Sequence, residues 1–289
     1  LLDVPFDEVM IFLAAFVAVF LLLWLVAYGA GPAVGRVLKR SAHWTARFRY
    51  RDYLPVIIVL ATGIVVTAMA GDAFIDIAER VHAQSPRLHE IDARTHDWAR
   101  FTRTNGATAF FTTLTLIGTP VGLGILVAIV CAGLAMKKRW RWLLYLVTTV
   151  GLGGLLNLQL KAYFARARPE LAEALRGAHG YSFPSGHAMG STVTFGALAY
   201  LALRVLPRWR YRSAAIAFAS TMILAISASR IYLGVHWISD VGAGIAGGLI
   251  WVITATVAYE TMRRIRLVRS LRAKRDSQTT SSLRTSRGE

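Results

Sequence analysis

Apolar runs of roughly 17–25 residues recur along this chain, each long enough to cross the hydrocarbon core of a bilayer as a helix. They read as seven spans, at about 9–28, 53–70, 107–136, 142–163, 185–206, 213–229 and 236–259. In lipid every backbone polar group must be satisfied within the protein, so runs of this length and spacing fold as helices. The expected class is therefore an all-α integral membrane protein. Composition agrees: 55% of the 289 residues are hydrophobic and 17% are charged, against about 25% charged in soluble domains. The spans follow one another closely enough that one bundle is expected rather than two domains.

The net charge is +17. In a soluble protein that excess would suggest nucleic acid. Here the basic residues lie in short segments between spans, as the positive-inside rule requires, so no nucleic-acid partner is expected. Arg36, Lys39, Arg40, Arg47, Arg49 and Arg51 follow the first run; Lys137, Lys138, Arg139 and Arg141 follow the third; Arg204, Arg208, Arg210 and Arg212 mark the end of the fifth. All fall on one side, taken as cytoplasmic, if the N-terminus is outside and the tail inside. The first run has acidic Asp3, Asp7 and Glu8 before it and is read as a span, not a signal peptide. Segment 71–106 is mixed in charge and is expected outside. Leu88, Ile91, Trp98 and Phe101 recur there at helical spacing. A helix lying on the leaflet and a helix packed over the bundle mouth account equally for that stripe. Gly118, Pro120, Gly122 and Gly124 predict a kink or break in the third span. The tail from Arg263 begins Arg-rich, suited to an anionic inner leaflet, and its polar end is expected to be disordered. Cys131 is the only cysteine, so no intrachain disulfide and no cysteine zinc set is possible.

With this topology three polar clusters gather at the outer ends of spans. Lys161, Arg166, Arg168 and Pro169 leave the fourth span in K-A-Y-F-A-R-A-R-P. Tyr181 to His187, Y-S-F-P-S-G-H, opens the fifth. Arg230, His236 and Asp240 lie in S-R-I-Y-L-G-V-H-W-I-S-D between the sixth and seventh. Ionisable groups beside membrane spans are costly and point to function. Lys161, Arg168 and Arg230 supply positive charge, while Ser185 and Gly186 stand where a helix begins and its backbone N–H groups are unpaired. That inventory suits a phosphate. His236 and Asp240 are four apart and share a face if the helix starts near Val235, so the carboxylate would fix the imidazole tautomer. His236 then suits a nucleophile and His187 a proton donor. Two histidines and an aspartate could also hold zinc or iron, but three cations in one cluster repel a metal ion and attract an anion. Arg166 either holds a second phosphate or faces water. His43, His82, His89, His96 and His179 fit no cluster and are expected at the surface, and Tyr232 and Trp237 as interfacial anchors.

The three clusters read K-x6-R-P, P-S-G-H and S-R-x5-H-x3-D, and in this order and spacing they resemble the signature motifs of the type 2 phosphatidic acid phosphatase superfamily, which also holds vanadium haloperoxidases. The resemblance spans about 53–259. It implies a six-helix phosphatase core plus one extra N-terminal transmembrane helix, divided as residues 1–52, a core at 53–260 and a basic tail at 261–289. It implies that Lys161, Arg168, Ser185, Gly186 and Arg230 bind phosphate, that His236 forms a phosphohistidine oriented by Asp240, and that His187 donates the proton. No metal or other cofactor is implied. The expected partner is a membrane lipid phosphate, such as undecaprenyl diphosphate, phosphatidylglycerol phosphate or phosphatidic acid. The resemblance places the protein in a bacterial inner membrane, with its site facing the periplasm and its C-terminus in the cytoplasm. A lipid phosphotransferase using the same intermediate and a non-catalytic anion-binding transporter or scaffold are the alternatives. The oligomeric state is not encoded.

Overall fold

The computed structural model describes residues 10, 11, 14–29, 54–169 and 180–285; the basic segment 30–53, with His43, and the loop 170–179, with His179, lie outside them. The described residues form helices joined by turns, with no strand among them. In chain order these are α1 (Ala14–Gly29), α2 (Leu54–His82), α3 (Pro86–Phe101), α4 (Asn105–Ile117), α5 (Pro120–Met136), α6 (Trp140–Phe164), α7 (Gly186–Val205), α8 (Trp209–Tyr232) and α9 (Ile238–Thr285).

Four of these helices, α6, α7, α8 and the first 29 residues of α9, are long and apolar enough to cross a membrane. The expected third span is a bent pair, α4 and α5, turned by 50°. Its break has a local cause: Thr119 caps α5, accepting from Gly122 N at 3.0 Å, and Pro120 takes the first helical position, where its missing N–H costs nothing. The expected first span falls on α1. Two indoles tie that helix to α8, Trp24 Nε1 donating to Arg210 O and Trp209 Nε1 to Tyr28 O. The expected second span is the first half of α2, which does not stop at Ala70 but runs on to His82. The tail expected to be disordered continues α9 as helix to Thr285; its Arg, Leu, Ala and Lys residues are good helix formers.

Helix α7 is the axis of the bundle and packs against α9, α8, α6 and α5. Its approach to α9 is a backbone contact. A Cβ on Gly244 would lie 2.8 Å from Ser185 O, and one on Gly248 would lie 2.6 Å from Thr192 Cβ. Small residues four apart let two membrane helices meet this closely. The buried hydroxyls of Ser191 and Thr192 are satisfied within α7 by Ala188 O.

Helix α3 covers one end of the bundle, but not through the apolar stripe. Ile91, Trp98 and Phe101 are exposed, while Asp92 and Ala99, about a quarter turn round the helix, are fully buried. The inversion follows from what α3 meets, which is the polar first turn of α9 and Arg166 rather than an apolar wall.

Candidate active site

Every polar cluster singled out in the sequence arrives at the α3 end of the bundle. The last turn of α6 brings Lys161. The chain then leaves α6 through Ala165, in the left-handed region at φ 44°, and runs without regular secondary structure through Arg166, Ala167 and Arg168. This stretch is pinned to the next cluster: Ser182 N donates to Arg166 O at 2.8 Å and Ser182 Oγ to Ala167 O at 2.9 Å. Buried Phe183, packed on Phe74 and Phe164, anchors the segment that opens α7. Ser185 N donates to Asp240 O at 2.9 Å, which locks the start of α7 to the start of α9. Lys161, Arg168, Gly186, His187, Arg230 and His236 line one cavity of about 910 Å³. Ser185, fully buried, takes the N-cap position of α7 without a side-chain cap bond, and Asp240 lies fully buried behind His236.

The His236 ring is held at both nitrogens. Nδ1 lies 3.3 Å from Asp240 Oδ2, and Nε2 lies 3.2 Å from Arg168 Nη1. An arginine only donates, so Nε2 is the acceptor and the proton sits on Nδ1, facing the carboxylate. The geometry differs from the expected one. His236 stands in the turn before α9, which begins at Ile238. Asp240 is therefore the third residue of the helix, and its Oδ2 also accepts the Trp237 backbone N–H at 3.0 Å, the reciprocal half of a capping box. The carboxylate thus caps the helix and orients the ring at once. Burial pushes His236 down to about 4, with Asp240 pulling the other way. Its imidazole is neutral at pH 7.

The cations are also held in place. Lys161 Nζ donates to Tyr181 O at 2.7 Å and to Ser182 O at 3.3 Å. Arg168 donates to Gly180 O and Val235 O at 3.0 and 2.9 Å. Arg230, buried, donates to Thr115 Oγ1 at 2.8 Å, so α4 orients a group the sequence placed on α8. Gly186 lies where a Cβ would press on Asn157 Oδ1 at 3.2 Å and Lys161 Cε at 3.6 Å. Ser185 Oγ and His187 Nε2 are buried polar atoms with no hydrogen-bond partner among the described residues. His187 also touches the α4–α5 break, since a Cβ on Gly118 would come within 3.2 Å of its ring. Among the described residues no three His, Cys, Asp or Glu side chains gather as a metal-binding group.

Comparison with known proteins gives the architecture its family. Residues 142–264 match the sequence model of the PAP2 superfamily. The chain is 32% identical over 157 residues to phosphatidylglycerophosphatase B of Bacillus subtilis strain 168, covering 54% of this chain and 76% of that protein. This chain belongs to the PAP2 superfamily. A second PAP2 relative, the lipid A 1-phosphatase of Rhizobium etli, is 38% identical over 129 residues, covering 39% of this chain and 49% of its own. The crystal structure of a transmembrane PAP2-type phosphatidylglycerolphosphate phosphatase from Bacillus subtilis superposes with a TM-score of 0.63 at 27% identity, over 68% of this chain and 96% of that one. The PAP2 fold and the apolar helices together make this a multi-pass membrane protein.

Several residues differ from their sequence reading. Arg166 neither faces water nor the cavity: its side chain is 16% exposed and bridges Asp92 and Asp240, both contacts at 2.7 Å. Tyr232 is buried, its hydroxyl accepting from Thr104 N at 2.9 Å, so it pins α8 to the entry of α4 rather than anchoring in lipid. Trp237 is half-buried, in ring contact with His89 and His96 and with Arg166 over its face. His82 and His89 are exposed, but His96 is half-buried with Nδ1 shielded. Asp92, Thr115 and Ser239 were not singled out. Asp92 had one signal, an acidic residue one position from an apolar stripe, and it reads only once the helix face is known.

Proposed function

We propose that this chain is a membrane phosphatase that removes phosphate from a lipid phosphomonoester or diphosphate through a phosphohistidine at His236, without a metal. The observation that supports this best is the doubly held His236 ring. Asp240 keeps the proton on Nδ1, and the Nε2 lone pair points at an arginine fork beside a cationic cup. When a phosphate oxygen takes the Arg168 Nη1 bond, that lone pair is released toward phosphorus. Lys161, Arg168, Arg230 and the free N–H groups at the start of α7 hold the three non-bridging oxygens. Nε2 forms the P–N bond as the P–O bond to the lipid breaks, and His187 gives its proton to the leaving oxygen. Water then enters and gives a proton to His187 as its oxygen attacks phosphorus, and the P–N bond breaks to release inorganic phosphate. Because Nδ1–H faces Asp240, the positive charge that develops on the ring is compensated as it forms.

The cavity supports a lipid substrate. Beyond the cations its walls include Leu123, Gly124, Val150, Leu158 and Val193, an apolar lining between α5, α6 and α7. Phosphatidylglycerol phosphate heads the candidates because of the Bacillus relative's name, with undecaprenyl diphosphate, phosphatidic acid and lipid A phosphates after it. We assign the catalytic core to 53–260. The orientation follows from charge: Lys137, Lys138, Arg139, Arg141, Arg204, Arg208, Arg210 and Arg212 lie at the ends of α5–α8 opposite the site. By the positive-inside rule that end suits the cytoplasm, which supports a site at the periplasmic face and a cytoplasmic tail.

The test is phosphate release by purified protein in detergent with EDTA, over those four lipid classes. Hydrolysis of at least one is expected. Release from none, or activity lost in EDTA and restored by a divalent ion, would overturn the proposal.

A further inference from the structure

Behind His236 lies a second set of charges that the three motifs do not contain. Arg166 Nη1 donates to Asp240 Oδ1 at 2.7 Å, and its Nη2 donates to Asp92 Oδ2 at 2.7 Å. Ser239 closes the ring: its hydroxyl accepts from Arg166 Nη1 and donates to Asp92 Oδ2, both at 2.7 Å. The Ser239 backbone N–H donates to Asp92 Oδ1 at 3.1 Å. Both carboxylates are fully buried. Asp92 stands on α3, outside the stretch that matches the family. One helix therefore caps the first turn of another and neutralises an arginine in the same contact.

The charge count gives this arrangement a purpose. Asp240 alone would place a formal charge of minus one behind the imidazole. Arg166 bound to it cancels that charge and drains the carboxylate that must stabilise a cationic ring. Asp92 on the far side of Arg166 restores the total to minus one while keeping every group paired. Arg166 in turn bridges the two buried carboxylates, and Ser239 ties it to Asp92, so each buried charge has an opposite partner. Lys161, Arg168, Arg230 and His187, which line the cavity with the ring, stand on its phosphate side. We infer that Asp92 and Arg166 are positioning residues that set the charge and orientation of the Asp240–His236 couple, so that α3 is part of the catalytic apparatus rather than a cover.

This inference rests on the phosphatase reading, and its test separates the two. Wild-type, Asp92→Asn, Arg166→Gln and the double variant are purified full-length and assayed on the best lipid phosphate. The charge behind the ring is then minus one, zero, minus two and minus one, respectively. Each single variant is expected to lose about ten- to a hundred-fold in kcat, the scale of lost outer partners of functional histidines, with KM within about twofold. The acid limb of kcat/KM should move to lower pH in Asp92→Asn. The double variant should recover about tenfold over Arg166→Gln, because the stranded carboxylate pair is gone. Losses that multiply in the double variant, or an unmoved acid limb, overturn the inference. If Arg166→Gln does not purify, Arg166→Lys is read instead: it keeps the charge, so a wild-type limb supports the inference and a shifted one overturns it. If wild-type protein releases no phosphate, the phosphatase reading fails alone. The inference is then read by NMR titration of the His236 ring, which must protonate at lower pH in Asp92→Asn and is refuted if it does not.

Discussion

Gly244→Ala tests whether the site is set by a backbone contact between α7 and α9. The new Cβ would lie 2.8 Å from Ser185 O, 3.0 Å from Ala188 Cβ and 3.2 Å from Met189 N, where ordinary contact starts at 3.4 Å. Two of these three neighbours are backbone atoms and cannot rotate away, so the helices must part by roughly 0.6 Å at Ser185. Overpacking of this kind costs about 1–3 kcal/mol. The displacement falls where it matters most. Ser185 precedes the first turn of α7, its N–H reaches Asp240 O at 2.9 Å, and Gly186 and His187 are the next two residues. Misplacement by about 1 Å can cost a hundred-fold in rate, so a loss of about ten-fold or more in kcat is expected here, with a lowered Tm. Gly151→Ala is the control, since a Cβ there meets nothing within 4 Å. It should leave kcat unchanged and add a few tenths to about 1 kcal/mol of stability, because Ala restricts the unfolded chain. Thermal unfolding in detergent and steady-state phosphate release measure both quantities. Should Gly244→Ala match wild type in Tm and kcat, the close approach does not position the site and the reasoning is wrong.

His236→Ala and His187→Ala should each lower turnover by several orders of magnitude while leaving Tm within a few degrees. Acid-labile phosphate trapped on the protein after rapid mixing should disappear in the first and accumulate or persist in the second. Vanadate, which takes five ligands at phosphorus-like geometry, should compete with substrate; no inhibition at millimolar concentration would count against the cup. For pH, the His236 ring stays neutral in the fold from about 4 upward, against 6.5 for an unperturbed imidazole. The acid limb of kcat/KM should therefore lie well below 6.5. The linked stability has the same sign: between those values the unfolded chain binds the proton and the folded one does not. This contribution is complete above about 6.5 and is lost as pH falls toward 4, which unfolding of wild type and His236→Ala across that range would measure.

The helical class, the break between α4 and α5, and the gathering of Lys161, Arg168, Gly186, His187, Arg230 and His236 on one cavity were legible because each has a local signature. Apolar length, a Gly/Pro cluster and fixed spacings around Lys, Arg, Ser and His all survive without knowledge of the fold. What could not be read depends on which face meets which. Asp92 sits beside an apolar stripe that turned out to face outward, so the side of α3 that packs is the one with less hydrophobic surface. Arg166 looked like a solvated charge because its two carboxylates are 74 residues away on either side. Tyr232 and Trp237 have the composition of interfacial anchors; only the hydroxyl partner of Tyr232 shows that it is buried, and only the indole partner of Trp237 shows that it braces the chain leaving α6. The His236–Asp240 spacing suggested two residues on one helical face, whereas the ring stands in the turn and the carboxylate reaches back to it.

The bent pair leaves the cavity with two unlike halves. Along α4, Thr104, Thr108, Thr112 and Thr115, with Thr119 at the hinge, line the cavity, and Thr115 holds Arg230; past the hinge, α5 presents Leu123 and Gly124. A bound amphiphile would meet the same change of polarity along its own length, and the two boundaries would align. On the phosphatase reading proposed above, the hinge would act as a ruler, setting how deep the scissile ester settles and matching the junction between headgroup and tail rather than a particular tail.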